Sequence, residues 1–176
     1  AYPSKKLHDP HSTVVTIRVI QDTDQRASMV ANDRERPQFI RDSNREASVA
    51  EFLDEKLYPN FFESWSRVSN REMQLSGVDV ICKHPEVEDE MFVDEKAATS
   101  WANREIYTFA FELSFLLGRS EMEGWFLSSG GKSRTTHWLC IWPRTSGGQI
   151  QTVEDIVSAE VMLIDTRILR NWVRKM

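Results

Sequence analysis

Two short apolar runs, 78–83 (VDVICK) and 91–97 (MFVDEKA), lie on either side of 84–89 (HPEVED), a proline-bearing turn with a cluster of acids. Runs of this length and β-branched content, bounded by turn residues, read as strands. So short a connection makes them neighbours in one sheet. Each run is interrupted by a carboxylate, Asp79 in the first and Asp94 in the second. A carboxylate on a buried strand face is costly unless it is paired or bound to a cation. Whatever this chain folds into must place these two acids where something positive meets them.

The rest of the chain is arranged around that pair. Residues 13–20 (TVVTIRVI) read as a strand that follows a loose arm at 1–12. Residues 21–44 are polar with little periodicity and read as a loop, most simply a solvated surface run. A helix is expected from a cap at Ser43 or Asn44 to about Tyr58, because Val49, Phe52, Leu53 and Leu57 recur at a spacing of three and four and make one stripe. Pro59 ends it. Residues 64–69 form a weaker strand candidate and 99–107 a short helix. The run 108–117 alternates at Phe109, Phe111 and Leu113, which favours strand. Residues 124–128 and 137–143 suggest a hairpin about Gly130-Gly131. Residues 153–159 read as a connector and 161–164 as a last short strand. Asp165 or Thr166 then caps a helix to Met176. The implied organisation is an arm, strand and polar loop at 1–44 and an α/β (α+β) domain at 45–176, with a mixed central sheet flanked by helices.

Composition narrows the functional classes. At 176 residues, the chain fits one domain. The net charge of −5 argues against a protein that coats nucleic acid through its global field, so any such contact uses a local patch. No apolar run approaches the roughly 20 residues of a membrane span, and residues 1–8 lack the apolar core of a secretory signal. Two cysteines, Cys82 and Cys140, are too few for a disulfide scaffold, which makes a reducing, cytoplasmic compartment the default.

Lys96 follows Asp94 by two residues, so both side chains leave the same face of the strand. Two carboxylates and a lysine at one end of a sheet meet the needs of phosphodiester hydrolysis. Asp79 and Asp94 would share one Mg²⁺ or Mn²⁺, which polarises the phosphate and acidifies a bound water. Lys96 would orient that water or help deprotonate it, and would offset charge in the transition state.

The pattern of Asp79 followed on the next strand by Asp94-Glu95-Lys96 resembles the PD-(D/E)XK nuclease superfamily, with Val78 standing where the family motif has proline. The order helix, strand, strand with Asp79, strand with Asp94-x-Lys96, helix, strand also resembles the family's restriction-endonuclease-like core. The resemblance spans roughly residues 45–143. It implies a metal-dependent nuclease acting on DNA, with Asp79, Asp94 and Lys96 catalytic and the backbone carbonyl of Glu95 facing the metal. It further implies an acid from the preceding helix, for which Glu51 is the candidate and Asp54 or Glu55 the alternatives. A non-catalytic module of the same fold, binding nucleic acid or a protein partner, is the alternative, and an unrelated α+β scaffold a third. A homo-oligomer is compatible with any of these.

Weaker signals surround this core. Glu112, inside an apolar run, is either an additional acid near the metal or a residue of the exposed face. Trp101 follows the Asp94-x-Lys96 strand and is placed to stack on a base, although most of the six tryptophans should be core. Lys132, Arg134 and Arg144 form either a local phosphate-binding patch or ordinary loop charge. Gly130-Gly131-Lys132-Ser133 lacks the first glycine of a phosphate-binding loop, since Phe126 stands there. Cys82 and His84 lack a second ligand pair for zinc, and no G-x-S-x-G occurs.

Overall fold

A computed structural model describes residues 14–20, 38–105, 109, 114–117, 120–123, 126 and 133–175. Eight strands and four helices follow in the order β1 (Val14–Ile20), α1 (Gln38–Lys56), α2 (Tyr58–Phe61), β2 (Ser64–Arg67), α3 (Arg71–Leu75), β3 (Val80–Lys83), β4 (Met91–Ala97), β5 (Ser114–Leu117), β6 (Ser120–Glu123), β7 (His137–Thr145), β8 (Ile156–Asp165) and α4 (Thr166–Val173). Six strands form one mixed sheet in the order β1-β8-β7-β4-β3-β2, and β5 pairs with β6 separately. The fold is mixed α+β. No described helix is long and apolar enough to cross a membrane.

The expected pair of strands lies side by side in the sheet, with β4 at its centre. β3 and β4 are antiparallel with Val80 opposite Val93 and Cys82 opposite Met91. β4 then runs parallel to β7, with Asp94 beside Trp138 and Lys96 beside Cys140. Parallel neighbours need a crossover. The described part of this one carries a 3-10 turn at Thr99–Trp101 and the β5-β6 hairpin, where the sequence suggested a helix at 99–107.

One face of the sheet is covered by α1. Val49, Phe52, Leu53, Leu57 and Tyr58 pack on Val80, Cys82, Met91, Val93, Leu139, Ile141, Ala159 and Val161. The stripe read from the sequence is thus the buried one. The helix itself begins at Gln38 rather than at Ser43 or Asn44. Once the stripe has fixed the helix, each added residue brings one more backbone hydrogen bond, so even the polar stretch from Gln38 prolongs it. α1 therefore runs through the expected boundary at 44/45, and β1 is an edge strand of the same sheet, antiparallel to β8.

Of the expected hairpin, residues 137–143 lie in β7, which has β4 on one side and β8 on the other, and 124–128 apart from Phe126 lie outside the described residues. The strand at 161–164 and the connector before it are one ten-residue strand, β8, preceded by a 3-10 turn at Val153–Asp155. Ser158 and Glu160 disguise its apolar pattern, since the buried positions are Ile156, Ala159 and Val161. Of the run 108–117, the described strand is Ser114–Leu117, and Glu112 lies outside the described residues.

Candidate active site

The register of β3 and β4, carried one step past Val80 and Val93, sets Asp79 opposite Asp94. Directly opposed residues of an antiparallel pair share a face and lie a few ångströms apart. Asp79 lies just before β3, and its N–H donates to the carbonyl of Val93, the residue before Asp94, at 2.8 Å. The Asp79 carboxylate folds back to accept from the Glu95 N–H at 2.8 Å through Oδ2. Lys96 Nζ donates to Asp94 Oδ1 at 2.6 Å. Asp79, Asp94 and Lys96 thus converge as their spacing suggests.

Asp94 is the one buried charged residue among the described residues, 7% exposed. Burial lifts its carboxyl to about 6, with Lys96 pulling it down and the neighbouring Asp79 pushing it up. Asp79 is near enough to Asp94 to raise its carboxyl. An ionised Asp94 lies against Asp79 at a cost, which a cation held between them would offset. One lysine does not neutralise two acids. The donor set, all carboxylate oxygen, is that of a hard divalent cation.

The close approach around Asp94 depends on Gly77. Its φ is +79°, a conformation that side chains other than glycine's strain to adopt. A Cβ there would sit 2.9 Å from Thr135 Oγ1 and 3.7 Å from Asp94 Oδ2. Thr135 is itself buried, and its hydroxyl donates to the Gly77 carbonyl at 2.5 Å. A glycine inside the turn before a strand carries this signal in the sequence; Thr135 carries none.

Glu95 points the other way, toward α1, because successive residues of a strand alternate faces. Tyr58 O–H donates to its Oε1 at 2.5 Å and Arg67 Nη1 to its Oε2 at 2.6 Å. Arg67 also clasps Asp54, with Nε and Nη2 at 2.9 and 2.7 Å from Oδ1, and reaches the Ala50 carbonyl at 3.0 Å. Burial raises the Glu95 carboxyl, against the pull of Arg67 and Tyr58. For Arg67, burial acts downward but the two acids outweigh it, so the guanidinium is held above its ordinary value. The Glu95 side chain is therefore committed to a structural network, and only its backbone is on the site: the N–H that holds Asp79 belongs to the same residue. Tyr58 and Arg67 were not singled out from the sequence. An arginine on a strand has many possible partners, and only the fold selects these.

The helix acid is placed differently from the expectation. Glu51 lies on the exposed side of α1, and α1 covers the face opposite Asp94 and Lys96. Asp54 faces the sheet but is bound to Arg67, and Glu55 is exposed. Among the described residues, no third His, Cys, Asp or Glu completes a metal-ligating group with Asp79 and Asp94.

Trp101 is 50% exposed in the 3-10 turn after β4, with the Arg104 guanidinium over its ring at 4.8 Å. Asn103, at φ +64°, ties that turn to the end of β7 by accepting from the Thr145 N–H at 2.8 Å and donating to the Thr145 carbonyl at 3.0 Å. Arg134 is exposed, its N–H bonded to the Ser76 carbonyl, while Lys132 lies outside the described residues. Burial pushes the Cys82 and Cys140 thiols up to about 12, which suits core packing and neither zinc nor nucleophilic chemistry. His84 Nδ1 accepts from the Glu86 N–H and so builds the turn.

Comparison with protein families, with curated proteins and with solved structures returns no match.

Proposed function

We propose that this protein is a metal-dependent nuclease of the restriction-endonuclease-like class, hydrolysing phosphodiester bonds in DNA. One observation carries the reading: Asp94 of β4 is buried with Asp79 close by, Asp79 held by the Glu95 N–H and Lys96 hydrogen-bonded to Asp94. Asp79 and Asp94 would hold Mg²⁺ or Mn²⁺, with the Glu95 carbonyl as the third protein oxygen that the resemblance implies. The ion supplies Lewis acidity toward phosphate and an acidified water. Lys96, hydrogen-bonded to Asp94 Oδ1, would orient the attacking water and offset the charge that develops on phosphorus. The Glu95 N–H holds the Asp79 carboxylate, and the Tyr58–Glu95–Arg67–Asp54 network fixes the strand segment that carries that N–H.

A second reading, a nucleic-acid-binding module of the same class without cleavage, is favoured by the lack of a third carboxylate beside Asp79 and Asp94 among the described residues. The two separate in a cleavage assay on labelled duplex and single-stranded DNA with Mg²⁺ or Mn²⁺. The nuclease reading expects cutting that is lost in Asp79→Ala and Asp94→Ala, and strongly slowed in Lys96→Ala. Activity surviving Asp94→Ala would place the chemistry elsewhere. Binding without cleavage of either strand type would leave the module.

A further inference from the structure

We infer that α4 is a DNA-binding ridge, along which a strand of substrate is carried to the Asp79–Asp94 site. The inference rests on the nuclease or nucleic-acid-binding reading above and adds the surface that holds the substrate. Residues 166–175 contain Arg167, Arg170, Arg174 and Lys175 and no acid, in a chain whose net charge is −5. So local a concentration of positive charge is complementary to a polyanion and to little else on this molecule.

The helix has two sides. Thr166, Leu169, Arg170 and Val173 face inward, at the spacing of one helical stripe. The outward side carries Arg167, Asn171 and Arg174 in one row and Ile168, Trp172 and Lys175 in the next, all exposed. Ile168 is 45% and Trp172 59% exposed, four residues apart on the same face. A row of cations beside an open indole is the combination that tracks a phosphate backbone and stacks on a base or sugar.

The ridge is joined to the site by direct contacts. The Thr166 N–H donates to the Thr136 carbonyl at 2.9 Å and its hydroxyl to the Thr135 carbonyl at 3.2 Å. Thr135 in turn holds the Gly77 carbonyl, beside Asp94. Further along, Arg170 lies over the Trp138 ring at 5.1 Å and donates to the Phe126 carbonyl at 2.7 Å. Trp138 is the neighbour of Asp94 across β4 and β7. The helix thus starts at residues that border Asp94 and Gly77. Its cap also holds it in place, since Asp165 Oδ1 accepts from the Arg167 and Ile168 N–H groups at 2.7 and 3.2 Å.

The test is equilibrium binding of the full chain to a fluorescein-labelled 30-nucleotide DNA, single-stranded and as duplex, in EDTA so that no cleavage occurs. The triple variant Arg167→Gln, Arg174→Gln, Lys175→Gln alters exposed side chains; Arg167 also meets Asp165 Oδ2 at 3.5 Å, a surface pair whose loss should leave the melting curve close to that of the unsubstituted protein. The expected result is a loss of affinity of about 10–100-fold, with the slope of log K against log salt reduced by roughly 2–3, near one for each phosphate that is no longer neutralised. Trp172→Ala should weaken binding with the salt slope unchanged. Equal affinity and slope in the triple variant, or no DNA binding by the unsubstituted protein, would overturn the inference. So would sedimentation with vesicles of anionic phosphatidylglycerol that depends on Trp172 while DNA binding does not, since that outcome makes the helix a membrane-surface element. Because binding is read without metal, a failure to cleave would count against the nuclease reading alone.

Discussion

At the scale of single residues, protonation has the most directly measurable consequences. Asp94, with its carboxyl at about 6 in the fold, binds its proton more tightly folded than unfolded. Its contribution to stability is present in full below the unfolded value near 4 and is lost as pH rises through about 6. Above that, a charged Asp94 faces Asp79, and a divalent ion should restore what ionisation costs. Thermal unfolding with and without 5 mM Mn²⁺ should therefore show almost no shift at pH 5 and a clear rise in Tm at pH 7.5. A rise of equal size at both values would place the bound ion away from Asp94. Arg67 gives a second expectation. Arg67→Ala leaves Glu95, buried under α1, without its guanidinium and should cost about 3 kcal/mol in urea unfolding. Arg67→Lys keeps the charge but loses the fork that spans Asp54 and Glu95, and should recover only part of that. A loss below ~0.5 kcal/mol for Arg67→Ala would mean the network does not hold β4. Gly77→Ala should destabilise by about 1–2 kcal/mol and lower metal affinity as well, because the new methyl strains the backbone and meets Thr135 Oγ1 beside Asp94.

At the scale of elements, packing of α1 on the sheet is the largest contribution to the fold. Phe52 is fully buried between helix and strands, and Phe52→Ala should cost about 3–5 kcal/mol in the same unfolding experiment. A cost near 1 kcal/mol would show that the face is loosely packed. The elements that the sequence makes plain are those where one local signal suffices: the apolar stripe of α1, the bounds of β4, and Asp165 as the cap of α4. The convergence of Asp79, Asp94 and Lys96 belongs with them, since period two and a short turn already decide it. Other features depend on partners distant in sequence. β8 is a ten-residue strand because β7 and β1 bond to its two edges, whatever its own broken pattern suggests. Pro143 is tolerated in β7 near the irregular register at Arg144/Thr145, close to the strand's end. α3, short and polar, is held by Asn70, which accepts from the Glu72 and Met73 N–H groups, a cap that lies in a stretch with no apolar periodicity to mark it. The helix acid fails for a related reason. Carboxylates near the right place in sequence are easy to find, but the helix face that covers the sheet decides which one turns inward, and it turns Asp54 toward Arg67.

At the scale of the whole molecule, one sheet separates two functions. The face under α1 carries the apolar core and the Glu95 network. The other carries Asp94, Lys96, Trp138 and the base of α4. β4 contributes to both faces, so Asp94, Glu95 and Lys96, three consecutive residues, serve the Glu95 network on one side and the proposed site on the other. In the proposed function, Asp79 and Asp94 together hold a divalent ion. Calorimetric titration of Mn²⁺ into the full chain at pH 7.5 tests it most directly. The expected result is one ion per chain, with affinity lost in Asp79→Asn and in Asp94→Asn and largely kept in Lys96→Ala. No binding in the unsubstituted protein, or binding that survives both aspartate substitutions, would contradict it.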